Sequence, residues 1–229
     1  MITIVIPAYN EQENIESLVR YLKKNDSNSL AEIIVSDGGS TDRTVELAEK
    51  AGASVMLSPA KGRAAQMNYA ASRARGNILY FVHADTFPPR SYISDICKSL
   101  QDGYLIGRYQ TKFDSSKFVL KLNAFFTRFD LFMCYGGDQT LFVEKELFNR
   151  IGGFNASMRI MEDYEIIERA KKVAKYRILS GKVLVSARKY ETNSWITVQK
   201  ANYTILQLYK KGASQDTMVN KYKQLLHYR

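Results

Sequence analysis

The sequence predicts an α/β chain built on a doubly wound, mostly parallel sheet with a helical C-terminal extension. Two observations carry that prediction. The N-terminal half alternates short apolar runs with amphipathic stretches of helical length, the order expected of βαβ units. The apolar run at 77–82 then ends in His83, Ala84 and Asp85, just before Thr86, Phe87 and the loop prolines Pro88 and Pro89. A buried strand holds its last side chain rigidly at the sheet's carboxyl edge, where open α/β sheets bind ligands. At 229 residues, 45% hydrophobic and 12% aromatic, the chain can form one large domain, or one domain with a small appendage, around a real core.

Taken in order, residues 2–6 form an apolar run closed by Pro7. Asn10 followed by Glu13 resembles a capping box. In the helix it would open, Ile15, Leu18, Val19 and Leu22 fall at i, i+3, i+4 and i+7. Residues 32–36 are a second strand, 44–51 a helix stopped by Gly52, and 53–57 a third strand. Residues 62–75 read as helix with Gly76 as its C-terminal stop, and the 77–82 strand follows. Beyond it, 91–100 reads as helix and 104–113 as strand. Over 117–135, Val119, Leu122, Phe126, Phe129 and Met133 line one helical stripe that Lys121, Arg128 and Asp130 interrupt, so the segment is amphipathic and not transmembrane. A short strand at 140–143, a helix at 161–174 and one or two strands at 177–187 around Ser180–Gly181 come next. Two basic, tyrosine-rich helices, 196–211 and 216–228, separated by Gly212, close the chain. The one candidate boundary lies near 190–194, dividing residues 1–190 from an extension at 191–229.

Four clusters carry chemistry: Pro7–Glu11 (PAYNE), Asp37–Asp42 (DGGSTD), His83–Asp85 (HAD) and the Glu162–Asp163 pair within MEDYE. The first three sit at the carboxyl ends of predicted parallel strands. Each alone is equally a turn or a helix cap. Together they gather carboxylates on one edge, and such proximity is costly unless a cation or hydrogen-bond donors offset it. A divalent cation with a diphosphate is the economical explanation. The Glu162–Asp163 pair, read alone, is a solvated helix start favoured by the helix dipole.

This succession of motifs resembles glycosyltransferase family 2. Further segments, KGRAAQMNYAA at 61–71, HADT at 83–86, YGGDQTLFV at 135–143, GGF at 152–154 and MEDYEI at 161–166, resemble its arsenosugar-biosynthesis-type branch. The resemblance implies a GT-A fold and transfer of a sugar from a nucleotide-diphosphate sugar, UDP- or GDP-linked, with inversion and a divalent cation (Mg²⁺ or Mn²⁺). It implies that Pro7, Ala8, Tyr9 and Glu11 line the nucleotide pocket, that Asp37 accepts from the base, and that Lys61 and Arg63 approach base or diphosphate. Asn68 would brace the acidic loop. Many relatives carry Asp-x-Asp as the metal motif. Here His83 holds the first position, leaving Asp85 as the metal ligand; His83 would bind ribose or act as a neutral ligand, and Ala84 would line the nucleotide pocket. Asp163 would be the base that deprotonates the acceptor hydroxyl, Glu162 would orient base or acceptor, and Asp138 and Gln139 would contact the acceptor. The Gln-x-x-Arg-Trp motif of polymer-forming members is absent from this sequence.

Charge is unevenly placed. Residues 171–229 hold 13 Lys/Arg against Glu191 and Asp216, a net +11, whereas residues 1–170 balance to −1. A basic tail is either a solvated face or a contact for anionic lipid, nucleic acid or substrate. Nucleic acid fits poorly, because the surplus is confined to the tail and no recognition motif accompanies it. No apolar run reaches the roughly 18 residues that span a bilayer, and Met1 leads into a strand with no basic signal region. Cys97 and Cys134 lack metal-ligand spacing and form no disulfide framework, which fits a reducing compartment. The expectation is a cytoplasmic protein, peripheral at the inner membrane face through its tail, with a small-molecule or lipid-linked acceptor. The alternatives are a sugar-phosphate nucleotidyltransferase and a non-catalytic nucleotide-sugar sensor. The former prefers a lysine-bearing glycine loop where this chain has Pro7–Asn10.

Overall fold

Side-chain alternation along the first strand, β1 (Ile2–Ala8), divides it between two cores. Ile2, Ile4 and Ile6 enter one apolar cluster, and Val5 enters the other on the opposite face of the sheet. The structure is a computed structural model that describes residues 1–26, 31–136 and 139–226. After β1 come α1 (Ile15–Lys24), β2 (Ala31–Asp37), α2 (Thr44–Lys50), β3 (Ser54–Leu57), α3 (Arg63–Arg73) and β4 (Ile78–Phe81). The chain continues through β5 (Thr86–Phe87), α4 (Tyr92–Gln101), β6 (Ile106–Phe113), α5 (Phe118–Phe126), β7 (Leu141–Glu144), α6 (Lys145–Arg150) and α7 (Glu162–Lys171). It ends with β8 (Tyr176–Val185), the short α8 (Lys189–Thr192), α9 (Trp195–Lys210) and α10 (Gln215–Leu225).

One eight-stranded sheet runs β3-β2-β1-β4-β7-β6-β8-β5. The β3-β2-β1-β4 half is parallel throughout. β7 lies antiparallel between β4 and β6, β6 and β8 are parallel, and β5 closes the far edge antiparallel to β8. Helices α1, α2 and α4 bury Leu18, Ala48 and Ile96 on one face; α3, α6 and α7 bury Met67, Leu147 and Ile166 on the other. The sheet is therefore doubly wound. Its order reverses between β1 and β4, and that switch point is where such folds open a crevice.

Three local expectations need correction. Asn10 does not cap α1: it sits at φ 54°, and its Oδ1 accepts from Thr41 N at 2.9 Å, so the helix begins later, after Asn14. Gly76 is not the stop of α3, which ends at an extended Ala74. Gly76 is instead needed for space, since a Cβ there would lie 2.7 Å from Thr3 N. The one or two strands expected over 177–187 are the single strand β8, in which Ser180–Gly181 form a bulge between the Tyr109–Leu179 and Gln110–Lys182 pairs.

The third concerns the amphipathic segment 117–135, which is not one helix. α5 stops at Phe126, and a single 3₁₀ turn at Phe132–Cys134 follows. Arg108, fully buried on β6, donates to Thr127 O at 2.7 Å and Phe129 O at 3.3 Å, and Thr111 N donates to Thr127 Oγ1 at 2.9 Å. Those contacts hold the chain in a turn. The apolar stripe points outward for the most part, and of α5 only Leu120 is buried, against Val198 and Ala201 of α9. The Ser194 and Ser214 side chains cap α9 and α10, accepting from Thr197 N and Thr217 N. No helix among the described residues is long and apolar enough to cross a membrane.

Candidate active site

Parallel register brings the predicted clusters to one edge. Ala8 pairs with Asp37 across β1 and β2, and Val82 N donates to Val5 O at 3.0 Å just past the end of β4. The PAYNE and DGGSTD loops are latched to each other. Asn10 N donates to Ser40 Oγ at 2.9 Å, Glu11 N to Thr44 Oγ1 at 2.8 Å and Gln12 N to Asp42 Oδ2 at 3.2 Å. Such cross-loop bonds hold the backbone at Pro7, Ala8 and Tyr9 in place, and the Tyr9 ring itself stands exposed. The Asp37 carboxylate is buried and accepts from Gly39 N, Ser40 N and Ser40 Oγ, so it organises its own turn.

Sequence reasoning missed Gln66. On the otherwise apolar buried face of α3, its Nε2 donates to both Ala8 O and Ser36 O at 2.8 Å, tying the ends of β1 and β2 together. A lone polar residue among Ala64, Met67, Ala70 and Ala71 was the available signal. Asn68 also departs from expectation. Its Nδ2 donates to Phe154 O at 2.7 Å and its Oδ1 accepts from Phe154 N at 2.9 Å, so the amide braces the 152–154 turn and not the 83–85 loop. Arg169 of α7 grips the same turn, donating to Gly153 O at 2.8 Å and to Ile151 O. α3 and α7 are thereby clamped to a common turn, and Gly153 occupies it at φ +67°.

That clamp sets up the second half of the site. Met161, left-handed at φ 70°, turns the chain into α7, whose first turn carries Glu162 and Asp163. The solvated-start reading fails for Glu162, which is 1% exposed. Arg63, the first residue of α3, places Nη2 2.7 Å from Glu162 Oε1. Neither Glu162 oxygen has an aligned hydrogen-bond donor among the described residues. At that 2.7 Å separation the Arg63 guanidinium offsets the Glu162 charge. Asp163 is half-buried beside it, Lys61 is exposed just ahead of α3, and a Cβ on Gly136 would meet the Tyr164 hydroxyl at 2.6 Å, which puts Gly136 against α7. Gln139 donates to Cys134 O at 2.5 Å and keeps a buried Oε1 without a partner among the described residues. Asp138 lies outside the described residues.

Arg188, just past β8, is the other residue the sequence did not signal. Its Nη2 lies 3.1 Å from Asp85 Oδ2 and 3.4 Å from Glu11 Oε1. Pairing of Thr86 with Val185 carries the end of β8 alongside Asp85. Burial opposes the Arg188 charge, but Glu11 and Asp85 more than offset it and raise its pKa. Two carboxylate oxygens converging on one positive centre form the hard-oxygen donor set that a divalent cation takes. No group of three or more His, Cys, Asp or Glu side chains surrounds a common point among the described residues. A cation held by Asp85 would therefore draw its remaining ligands from diphosphate and water.

With this geometry in place, the chain belongs to glycosyl transferase family 2, whose family model matches residues 3–164. An uncharacterized glycosyltransferase of Haemophilus influenzae is 23% identical over 188 residues, covering 73% of this chain and 60% of its own length. Among solved structures, the mannosyltransferase PcManGT of Pyrobaculum calidifontis, in complex with GDP-Man and Mn²⁺, is similar at TM-score 0.71 and 17% identity, over 98% of this chain and 69% of that one. S. aureus TarS in complex with UDP-GlcNAc is similar at TM-score 0.68 and 19% identity, over 82% of this chain and 58% of that one. The fold is the GT-A fold of those structures. The chain spans about three-fifths of the Haemophilus and TarS chains.

Proposed function

We propose that this protein transfers a sugar, with inversion, from a UDP- or GDP-linked donor to an acceptor hydroxyl in a reaction that depends on Mg²⁺ or Mn²⁺. The observation that carries the reading is the Arg63–Glu162 pair, which ties the helix beside the nucleotide-side strand ends to the acidic first turn of α7. Donor-side and acceptor-side chemistry thus share one edge of the sheet.

Pro7, Ala8, Tyr9 and Asp37 receive the nucleoside, Lys61 and Arg63 approach the diphosphate, and His83 and Ala84 flank the ribose. Bound at Asp85, a divalent cation supplies the positive charge that stabilises the departing diphosphate. Asp163 takes the proton from the acceptor hydroxyl as its oxygen attacks the anomeric carbon. Glu162, its charge offset by Arg63, orients the acceptor, with Gln139 and Asp138 contacting it from the 135–143 segment. Residues 1–190 form the transferase domain and 191–229 a basic extension packed on it, in a cytoplasmic protein whose tail meets the inner membrane face. The acceptor is a small molecule or a lipid-linked one. The likeness to the arsenosugar-biosynthesis-type branch rests on the quoted motifs and carries no arsenic-containing substrate with it.

Thermal unfolding with UDP, GDP, CDP and dTDP, each with and without Mn²⁺, tests the donor site. A diphosphate at 100 times its Kd stabilises by about 2.7 kcal/mol, several degrees for a domain this size. The expected result is a metal-dependent shift with one base, absent in Asp85→Ala. Asp163→Asn is expected to lower turnover about 10²–10⁴-fold with nucleotide binding kept. No shift with any nucleotide overturns the donor site, and full activity in Asp163→Asn overturns the base.

A further inference from the structure

We propose that the aromatic segment around α5 docks this protein on an anionic phospholipid surface, its rings entering the boundary between headgroups and acyl chains. Leu122, Phe125, Phe126, Phe129 and Leu131 are each 43–45% exposed, and Met133 is 65% exposed. The rings of Phe125, Phe126 and Phe129 contact one another with centroids 5.7, 5.7 and 6.4 Å apart, so they form a single island. Scattered surface hydrophobics need no explanation, but a contiguous cluster does. The island is also built from behind. Buried Arg108 holds the carbonyls of Thr127 and Phe129, and Leu120, on the other side of α5, packs on α9. Groups in the interior thus fix the rings outward.

Charge decides what covers them. Lys121 is exposed one helical turn from Phe118 and Phe125. The Arg128 guanidinium lies 4.0 Å from the Phe125 ring centroid. Asp130, the one acid between residues 117 and 133, is turned to Lys171 and the Tyr135 hydroxyl. Aromatic and aliphatic groups rimmed by cations suit an anionic interface. A two-fold contact between copies would instead press like charges together. The inference goes beyond the transferase reading and does not depend on it, because lipid binding is read without nucleotide.

Vesicle co-sedimentation tests it, comparing phosphatidylcholine alone with phosphatidylcholine plus phosphatidylglycerol at low and raised salt. The unaltered protein is expected to bind the anionic vesicles. F125S/F126S/F129S is expected to lose about tenfold or more of that binding as its buried apolar area falls, and K121E/R128E to lose the preference for phosphatidylglycerol. Phe126→Trp supplies a second readout that does not rely on deleting the rings: its emission is expected to be quenched by brominated lipid beyond the level of the unaltered protein. No binding to anionic vesicles, no loss in the triple variant, or no added quenching would each overturn the proposal. So would sedimentation equilibrium showing a dimer that the triple variant dissolves, which assigns the surface to a second copy.

Discussion

Replacing Arg63 with alanine tests the connection between the two halves of the site. Removing one partner of a fully buried ion pair costs about 3–5 kcal/mol, because the other charge stays buried without compensation. Glu162 is 1% exposed, but the Arg63 side chain is 40% exposed, so water screens part of their interaction. That screening puts the expected loss below this range, at about 2–3 kcal/mol. For a chain of this size that lowers Tm by roughly 5–10 °C. Urea denaturation followed by circular dichroism, at unchanged m-value, measures it directly. Glu162→Gln removes the charge that Arg63 offsets, so the double variant is expected to lose less than the two single losses combined. A loss under about 0.5 kcal/mol for Arg63→Ala would refute the reasoning, as would strict additivity in the double variant.

Three further predictions follow from other contacts. Arg188→Ala removes the cation shared by Asp85 and Glu11, and is expected to tighten Mn²⁺ binding in the absence of nucleotide, read by titration calorimetry; unchanged or weaker binding would separate Arg188 from the cation site. Gln66→Leu removes the amide that joins Ala8 O to Ser36 O; Ala8 O keeps Gly38 N as a donor at 2.8 Å, so the expected cost in urea unfolding is that of the lost hydrogen bonds, about 1–3 kcal/mol. Acid lability centres on Glu32: burial raises its pKa, but the Arg75 backbone N–H, the Thr3 hydroxyl and the Arg75 guanidinium together lower it below the ordinary 4.5. A lowered carboxylate stabilises the fold above its unfolded pKa, and that stability is lost as pH falls through the folded value. Stability should thus decline below about pH 4.5, with a shallower decline in Glu32→Gln.

By itself the sequence determined the parallel half of the sheet and the loops at its edge. Strand and helix periods are local, and the turn chemistry of DGGSTD and HAD is written in adjacent residues, so β1 to β4 and their carboxyl-end clusters were legible. The placements of Asp37 and Asp85 at that edge followed from the same logic, whereas the burial of Glu162 did not, because its local pattern reads as a solvated helix start. Only the tertiary structure decided the partners. Arg188 meets Asp85 across 103 residues of sequence, and Asn68 meets Phe154 across 86. No local pattern carries such pairings, because they arise from strand order and helix packing. The segment 117–135 makes the same point from the other side. Its apolar period marks a stripe but does not say what covers it. Buried Arg108 broke the helix by taking its carbonyls, and packing of Leu120 on α9 turned most of the aromatic side chains outward. Periodicity reports a side chain's direction relative to its own element, whereas burial depends on which neighbours the rest of the chain brings against it.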